Sequence, residues 1–205
     1  MKQRISKFKA NVKISKKTLV FLVGLAIIGL ILGSIYTVIL KDGDKSLVKD
    51  YMGEFLSNIK NNKVNYLNIY LNNTILSFLF IVVIWLFGIS VIGIPVILFM
   101  YFTKAFVMGF TISSFILNYK IKGILLSFIY VVPHGILTFL VYIILMNYAI
   151  TLSKKLTQTF IKKKEINFRG IMQKYVLILG VCLISMLVLN LYEVFIVPKL
   201  MMVFI

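Results

Sequence analysis

The sequence predicts an all-α fold: a polytopic membrane helix bundle of about five transmembrane helices with one amphipathic helix outside the membrane. Three observations carry this. Apolar residues make up 60% of the 205 positions and charged residues only 14%, where a soluble domain carries roughly 25% charged residues. The mean hydropathy is +1.00, more apolar surface than a soluble fold of this size can keep from water. The apolar residues also fall in long uncharged runs. A soluble globular enzyme is therefore excluded, and so is disorder, which requires low hydrophobicity.

The net charge is +17, from 23 Lys and Arg against 6 Asp and Glu. On a soluble protein that would raise nucleic-acid binding; here the charges flank apolar runs and no nucleic-acid partner is expected. The lone Cys182 forms no internal disulfide, and a single histidine without a Cys/His cluster makes no zinc site. No Gly-x-x-x-x-Gly-Lys or Gly-x-Gly-x-x-Gly stretch is present. No cofactor, no metal and no catalytic residue are assigned, and the protein is read as not an enzyme. The N-terminus does not read as a cleavable signal, because its basic stretch and the apolar run after it are both too long.

Residues 1–17 form a basic segment with seven Lys and Arg and no acid. The rest, 18–205, reads as a single membrane-embedded domain. Residues 18–40 carry no charge and span roughly 34 Å as a helix, enough for one crossing. Gly24, Gly29, Gly33 and Ser34 within them allow close helix contact. Residues 41–70 are polar, yet Leu47, Val48, Tyr51, Met52, Phe55, Leu56 and Ile59 recur at helical spacing. That spacing predicts an amphipathic helix over 44–60, with Asp44 as its cap. Leu47, Tyr51, Met52, Phe55 and Ile59 are the candidate partner-docking face; packing of that face on the bundle is the alternative.

The run 71–117 contains one charge, Lys104, and amounts to roughly 70 Å of helix, too long for a single crossing. The break is placed at Gly93 and Pro95, giving spans 72–92 and 95–117 in a tight hairpin. Lys120 and Lys122 mark the next boundary. A span over 131–152 follows, in which either Pro133 opens the helix and 121–131 lie at the interface, or one long helix kinks at Pro133. Residues 153–174 carry seven Lys and Arg against Glu165. The last span is 175–193, and the apolar tail 194–205 is expected to lie along the membrane.

Positive-inside asymmetry places 1–17 and 153–174 on the cytoplasmic side, which requires an even number of crossings between them. Splitting 71–117 supplies it. The N-terminus is then cytoplasmic, 41–70 extracytoplasmic and the C-terminus extracytoplasmic. Membrane lipids are the first partner, since the basic segments attract anionic headgroups.

Four polar residues fall within or at the edge of spans: Asn73, Lys104, His134 and Glu193. Ionisable groups there are costly and need partners. Lys104 lies near mid-depth, with Asn73, Glu193 or a lipid phosphate as candidate partners. A transport reading predicts that Lys104, His134 and Glu193 share one water-accessible cavity. A hydrolase reading would pair Ser90 of Gly88-Ile89-Ser90 with His134, although Val91 stands where such sites carry a glycine. A simple structural role competes with each of these.

Four segments, in order, resemble the stage II sporulation protein M family. They are Ile69–Asn73 leading to Phe87–Pro95, then Lys104–Phe110, then Val132-Pro133-His134-Gly135-Ile136, and finally Tyr192–Pro198 with its Glu-x-Phe-x-x-Pro pattern. The resemblance runs over about 19–202. Lys104-Ala105 stands where Asn-Gly is common, and Leu137 and Thr138 where many members carry a nearby glutamate. A polar site formed by those residues in some members is thus altered here. The resemblance implies a bacterial cell-membrane protein that anchors peptidoglycan hydrolases, the stage II sporulation proteins D and P, at the septal and engulfing membrane during forespore engulfment. A small-solute permease subunit is the alternative. The oligomeric state, a homo-oligomer included, stays open.

Overall fold

A computed structural model describes residues 15–90, 92–162 and 168–204. The basic residues 1–14 and 163–167, which hold part of both predicted cytoplasmic segments, lie outside the described residues. Every described element is helical: α1 (Lys16–Ile39), α2 (Asp42–Lys60), α3 (Tyr66–Ile89), α4 (Gly93–Tyr130), α5 (Val132–Lys162), α6 (Phe168–Leu191), a π-helical turn at Tyr192–Ile196, and α7 (Val197–Met202). Four stretches are long and apolar enough to cross a membrane: Lys16–Ile39, Tyr66–Ile89, Gly93–Thr159 and Arg169–Met202. The third has 67 residues, roughly 100 Å of helix, and so must fold back.

It reverses at Lys120, whose φ of 51° and ψ of −124° leave the helical region. Beyond it, 121–130 return alongside the end of the preceding helix. Gly123 sits there on the Phe115 carbonyl and the Ile116 Cα, where a Cβ would collide with backbone. Val131 N–H donates to Ser127 O and Gly135 N–H to Val131 O, both at 2.8 Å. One helix ends at Tyr130 and the next starts at Val132, so of the two forms considered for Pro133 the structure takes the one in which Pro133 opens the helix. Proline has no N–H to donate to Ile129 O, which costs nothing in the first turn of the new helix.

α1 turns the soluble-protein pattern inside out. Its buried face is Thr18, Leu22, Gly29, Gly33 and Thr37, while Phe21, Ile27, Ile28, Ile31 and Ile35 face outward. Lipid is as apolar as these side chains, so close packing selects small residues for the inner face. Gly29 lies on Ala105 and Phe102, Gly33 on Phe106, and Gly109 on Leu30. Ser34 Oγ donates to Gly109 O at 3.2 Å, and Ser113 Oγ donates to Ser34 O at 3.3 Å. These contacts make α1 and the first part of α4 parallel.

α3, α5 and α6 form the other half. Gly88 lies against Ala149 and the Tyr175 hydroxyl, and that hydroxyl donates to Trp85 O at 3.0 Å. Ser153 Oγ donates to Ser90 O at 2.9 Å. Asn147 holds the start of α1, accepting from Ser15 N at 3.1 Å and donating to Ser15 O at 3.3 Å. One end of the bundle therefore gathers Lys16, Lys17, Lys154, Lys155 and Arg169. The opposite, distal end holds α2, Lys120 and α7. The described parts of the two basic segments thus share an end.

Several boundaries differ from expectation. α2 begins at Asp42 with Lys41 as its N-cap and no side-chain cap bond. Asp44 is a first-turn charge favoured by the helix dipole, not the cap. α3 ends at Ile89 and α4 begins at Gly93, so the break falls ahead of Gly93 and Pro95. Gly93 opens α4 pressed on the Phe87 carbonyl, where no Cβ fits, and Pro95 sits in the first turn, where its missing N–H costs nothing. The tail does not lie apart along the membrane. It continues the last helix, and Val197 and Met201 are fully buried beside Leu56, Ile59, Phe115, Leu126 and Val131.

Candidate functional site: a polar cleft between the helices

Glu193 owes its position to a helix defect. Pro198 offers no N–H to Val194 O, and its ring would crowd that carbonyl in a regular α-helix. The chain responds with a wider turn over Tyr192–Ile196, in which Val197 N–H bonds back to Tyr192 O. Such π-bulges re-aim side chains and recur at functional sites. Here the bulge carries Glu193 to α3 and α5. Asn73 Nδ2 donates to Glu193 Oε2 at 3.3 Å, and His134 Nε2 lies 3.5 Å from the same oxygen. Thr138 Oγ1 lies 3.3 Å from His134 Nε2, one turn along α5. The His134 and Glu193 side chains are each 17% exposed.

Lys104 comes from α4, on the far side of the same cavity. Its Nζ stands 5.0 Å from the centre of the Phe80 ring on α3, a cation–π arrangement. No carboxylate oxygen of the described residues lies within 4.0 Å of it. The cavity holds about 280 Å³ and is lined by Asn73, Lys104, His134, Thr138 and Glu193 together with Thr111, Tyr130 and Tyr142. Among the described residues no group of three or more His, Cys, Asp or Glu could hold a metal ion.

All four polar span residues singled out in the sequence thus converge on one cleft. Ser90 does not join them. It sits at the basic end beside Ser153, and the α5 segment from there to His134 is roughly 28 Å long. That separation removes the serine–histidine pairing.

The candidate docking face of α2 is largely used inside the molecule. Ile59 is 1% exposed, and Met52 and Phe55 pack against the distal cluster, with Phe55 5.3 Å from the Tyr130 ring. Leu47 and Tyr51 remain free, 55% and 73% exposed. Sequence reasoning missed Thr138, Tyr130 and Asn190, whose amide donates to Thr74 Oγ1 at 3.4 Å. The His134–Thr138 spacing of one helical turn was a readable signal; the other two depend on packing.

The family model for stage II sporulation protein M matches residues 18–198, which takes in nearly all of α1, all of α2 to α6, the π-turn and the whole cleft. The chain belongs to the stage II sporulation protein M family. No curated protein and no solved structure matches it. As a member of that family with four apolar stretches long enough to cross a bilayer, it is a sporulation-related membrane protein. The Pro-His-Gly and Glu-x-Phe-x-x-Pro segments meet in space, because His134 and Glu193 are partners in the cleft.

Proposed function

We propose that this protein is a non-enzymatic membrane anchor that holds peptidoglycan hydrolases, the stage II sporulation proteins D and P, during forespore engulfment. The observation that carries this reading is the family match over residues 18–198. The basic end faces the cytoplasm, since Lys16, Lys17, Lys154, Lys155 and Arg169 gather there, and the distal end faces the hydrolases. Their contact on α2 is the free patch of Leu47 and Tyr51.

Orientation is tested by single cysteines in a Cys182→Ser background. Lys49→Cys is expected to react with a membrane-impermeant maleimide on intact cells, and Lys154→Cys only after permeabilisation; the opposite pattern would reverse the topology. For the docking patch, Leu47→Lys with Tyr51→Glu in an endospore-forming host lacking its own copy is expected to delocalise the hydrolases and stall engulfment. Both positions are exposed, so stability should change by less than about 0.5 kcal/mol. Normal localisation in that double variant would refute docking through α2.

The convergence of Lys104, His134 and Glu193 favours a second reading, a permease subunit. Against it, the basic half of the bundle below the cleft is filled by Ile81, Ile84, Ile97, Tyr101, Leu145 and Met146, all fully buried. The cleft therefore ends blindly in apolar core in this conformation.

A further inference from the structure

The cleft is open sideways. Its floor is Tyr142 and Met186, each at most 2% exposed. Its rim is Leu76 of α3 and Val107 of α4, 62% and 51% exposed, on the outward surface of two helices that cross the bilayer. The mouth therefore faces lipid. Lys104 stands in that mouth, roughly 16 Å along the axis from Gly93 at the basic end of α4 and roughly 24 Å from Lys120 at the other, close to the bilayer centre. Its ammonium rests on Phe80 and has no carboxylate within 4.0 Å among the described residues. The acid of the cleft, Glu193, acts on Lys104 only through space and is engaged in contact by Asn73 and His134.

We propose that this cleft is a docking site for a membrane-crossing helix of another protein that carries a carboxyl group at mid-depth, and that Lys104 is the counter-charge. The argument is complementarity in charge and in depth. A cation at mid-bilayer needs an anion or water. Lipid phosphates begin roughly 15 Å from the midplane, out of reach of Lys104. A second copy of this chain does not supply the group, because the acid within its spans is Glu193, held by its own Asn73 and His134. Of anion and water, the anion suits a mouth that opens to lipid, and an acidic residue delivered sideways through the bilayer on a helix supplies it.

The charges also balance. The incoming group travels through lipid as the neutral acid. Passing its proton to the unprotonated ring nitrogen of His134 leaves a Lys104–carboxylate pair beside a His134–Glu193 pair, and the net charge of the cleft is unchanged. The inference deepens the anchor reading and rests on it only for which protein bears the helix.

The test uses the full chain in phosphatidylcholine vesicles with a fluorescent synthetic polyleucine helix bearing one central Glu, Gln or Leu, and reads association by energy transfer. The Glu helix is expected to bind about tenfold more tightly than the Leu helix. Lys104→Met should abolish that preference, and Lys104→Arg, which keeps the charge and controls for folding, should retain it. Equal binding of the three helices, a Gln helix as tight as the Glu helix, or a Glu preference that survives Lys104→Met would each overturn the site. So would loss of the preference on adding phosphatidylglycerol, which would hand Lys104 to a headgroup. Failure here with hydrolase localisation intact leaves the anchor reading standing. Retained Glu preference with normal engulfment in a strain lacking the protein removes the anchor reading and leaves the cleft.

Discussion

Replacing Gly109 by leucine is expected to detach α1 from the bundle and to cost about 3 kcal/mol, the upper part of the range for overpacked sites. The reason lies in what a side chain there would meet. A Cβ on Gly109 runs into the carbonyl, the carbonyl carbon and the Cα of Leu30, and one on Gly33 runs into the Phe106 carbonyl. Backbone cannot swing aside as a side chain can, so the helices must part. Parting also breaks the hydrogen bonds from Ser34 Oγ to Gly109 O and from Thr37 Oγ1 to Phe110 O, at 3.2 and 3.4 Å. Gly24 is the control, since an added Cβ there meets nothing within 4 Å. Gly24→Leu should change stability by less than about 0.5 kcal/mol. Thermal unfolding in detergent, followed by near-ultraviolet circular dichroism, measures both. Equal midpoints for the two variants would mean that the α1–α4 contact does not depend on glycine.

Removing the Glu193 carboxylate is expected to cost about 1–2 kcal/mol. Two opposed magnitudes decide this. Hydrogen bonds to charged groups contribute roughly 1.5–3 kcal/mol in soluble proteins, but interhelical polar contacts measured within membranes average only about 0.6. Glu193 serves two partners, Asn73 and His134, and lines a polar cavity, so the value falls between. Glu193→Ala loses both contacts. Glu193→Gln keeps an acceptor for Asn73 and should cost less than about 1 kcal/mol. A double-mutant cycle of Glu193→Ala with Asn73→Ala should return a coupling of about 0.6 kcal/mol. Zero coupling would mean that the hydrogen bond between α3 and the bulge contributes nothing to the bundle.

Much of this was legible from residue order because a bilayer imposes simple rules. Uncharged runs of crossing length, and a run far too long for one crossing, require several helices and a reversal. The polar residues of the cleft stood out for a related reason: ionisable groups are rare in spans, so Lys104, His134 and Glu193 were conspicuous one by one. Their meeting point was not. Asn73 and Glu193 are on opposite halves of the chain, and only packing brings them to 3.3 Å.

The docking face of α2 illustrates the same limit. Helical spacing put Leu47, Tyr51, Met52, Phe55 and Ile59 on one face, but an amphipathic pattern does not say whether its apolar side meets a partner or its own chain. The structure buries Ile59 and half-buries Met52 and Phe55, leaving Leu47 and Tyr51.

The sequence by itself determined the all-helical class, the family and the scarcity of charge in the spans, because each follows from local composition or from motifs in order. Tertiary structure alone decided how 121–130 fold back on Phe115, the passage of the last helix through a π-turn into the distal core, and the lateral opening that leaves Lys104 with no carboxylate within 4.0 Å among the described residues. Those depend on which backbone surfaces can approach, and a one-dimensional hydrophobic pattern carries no distance between residues far apart in the chain.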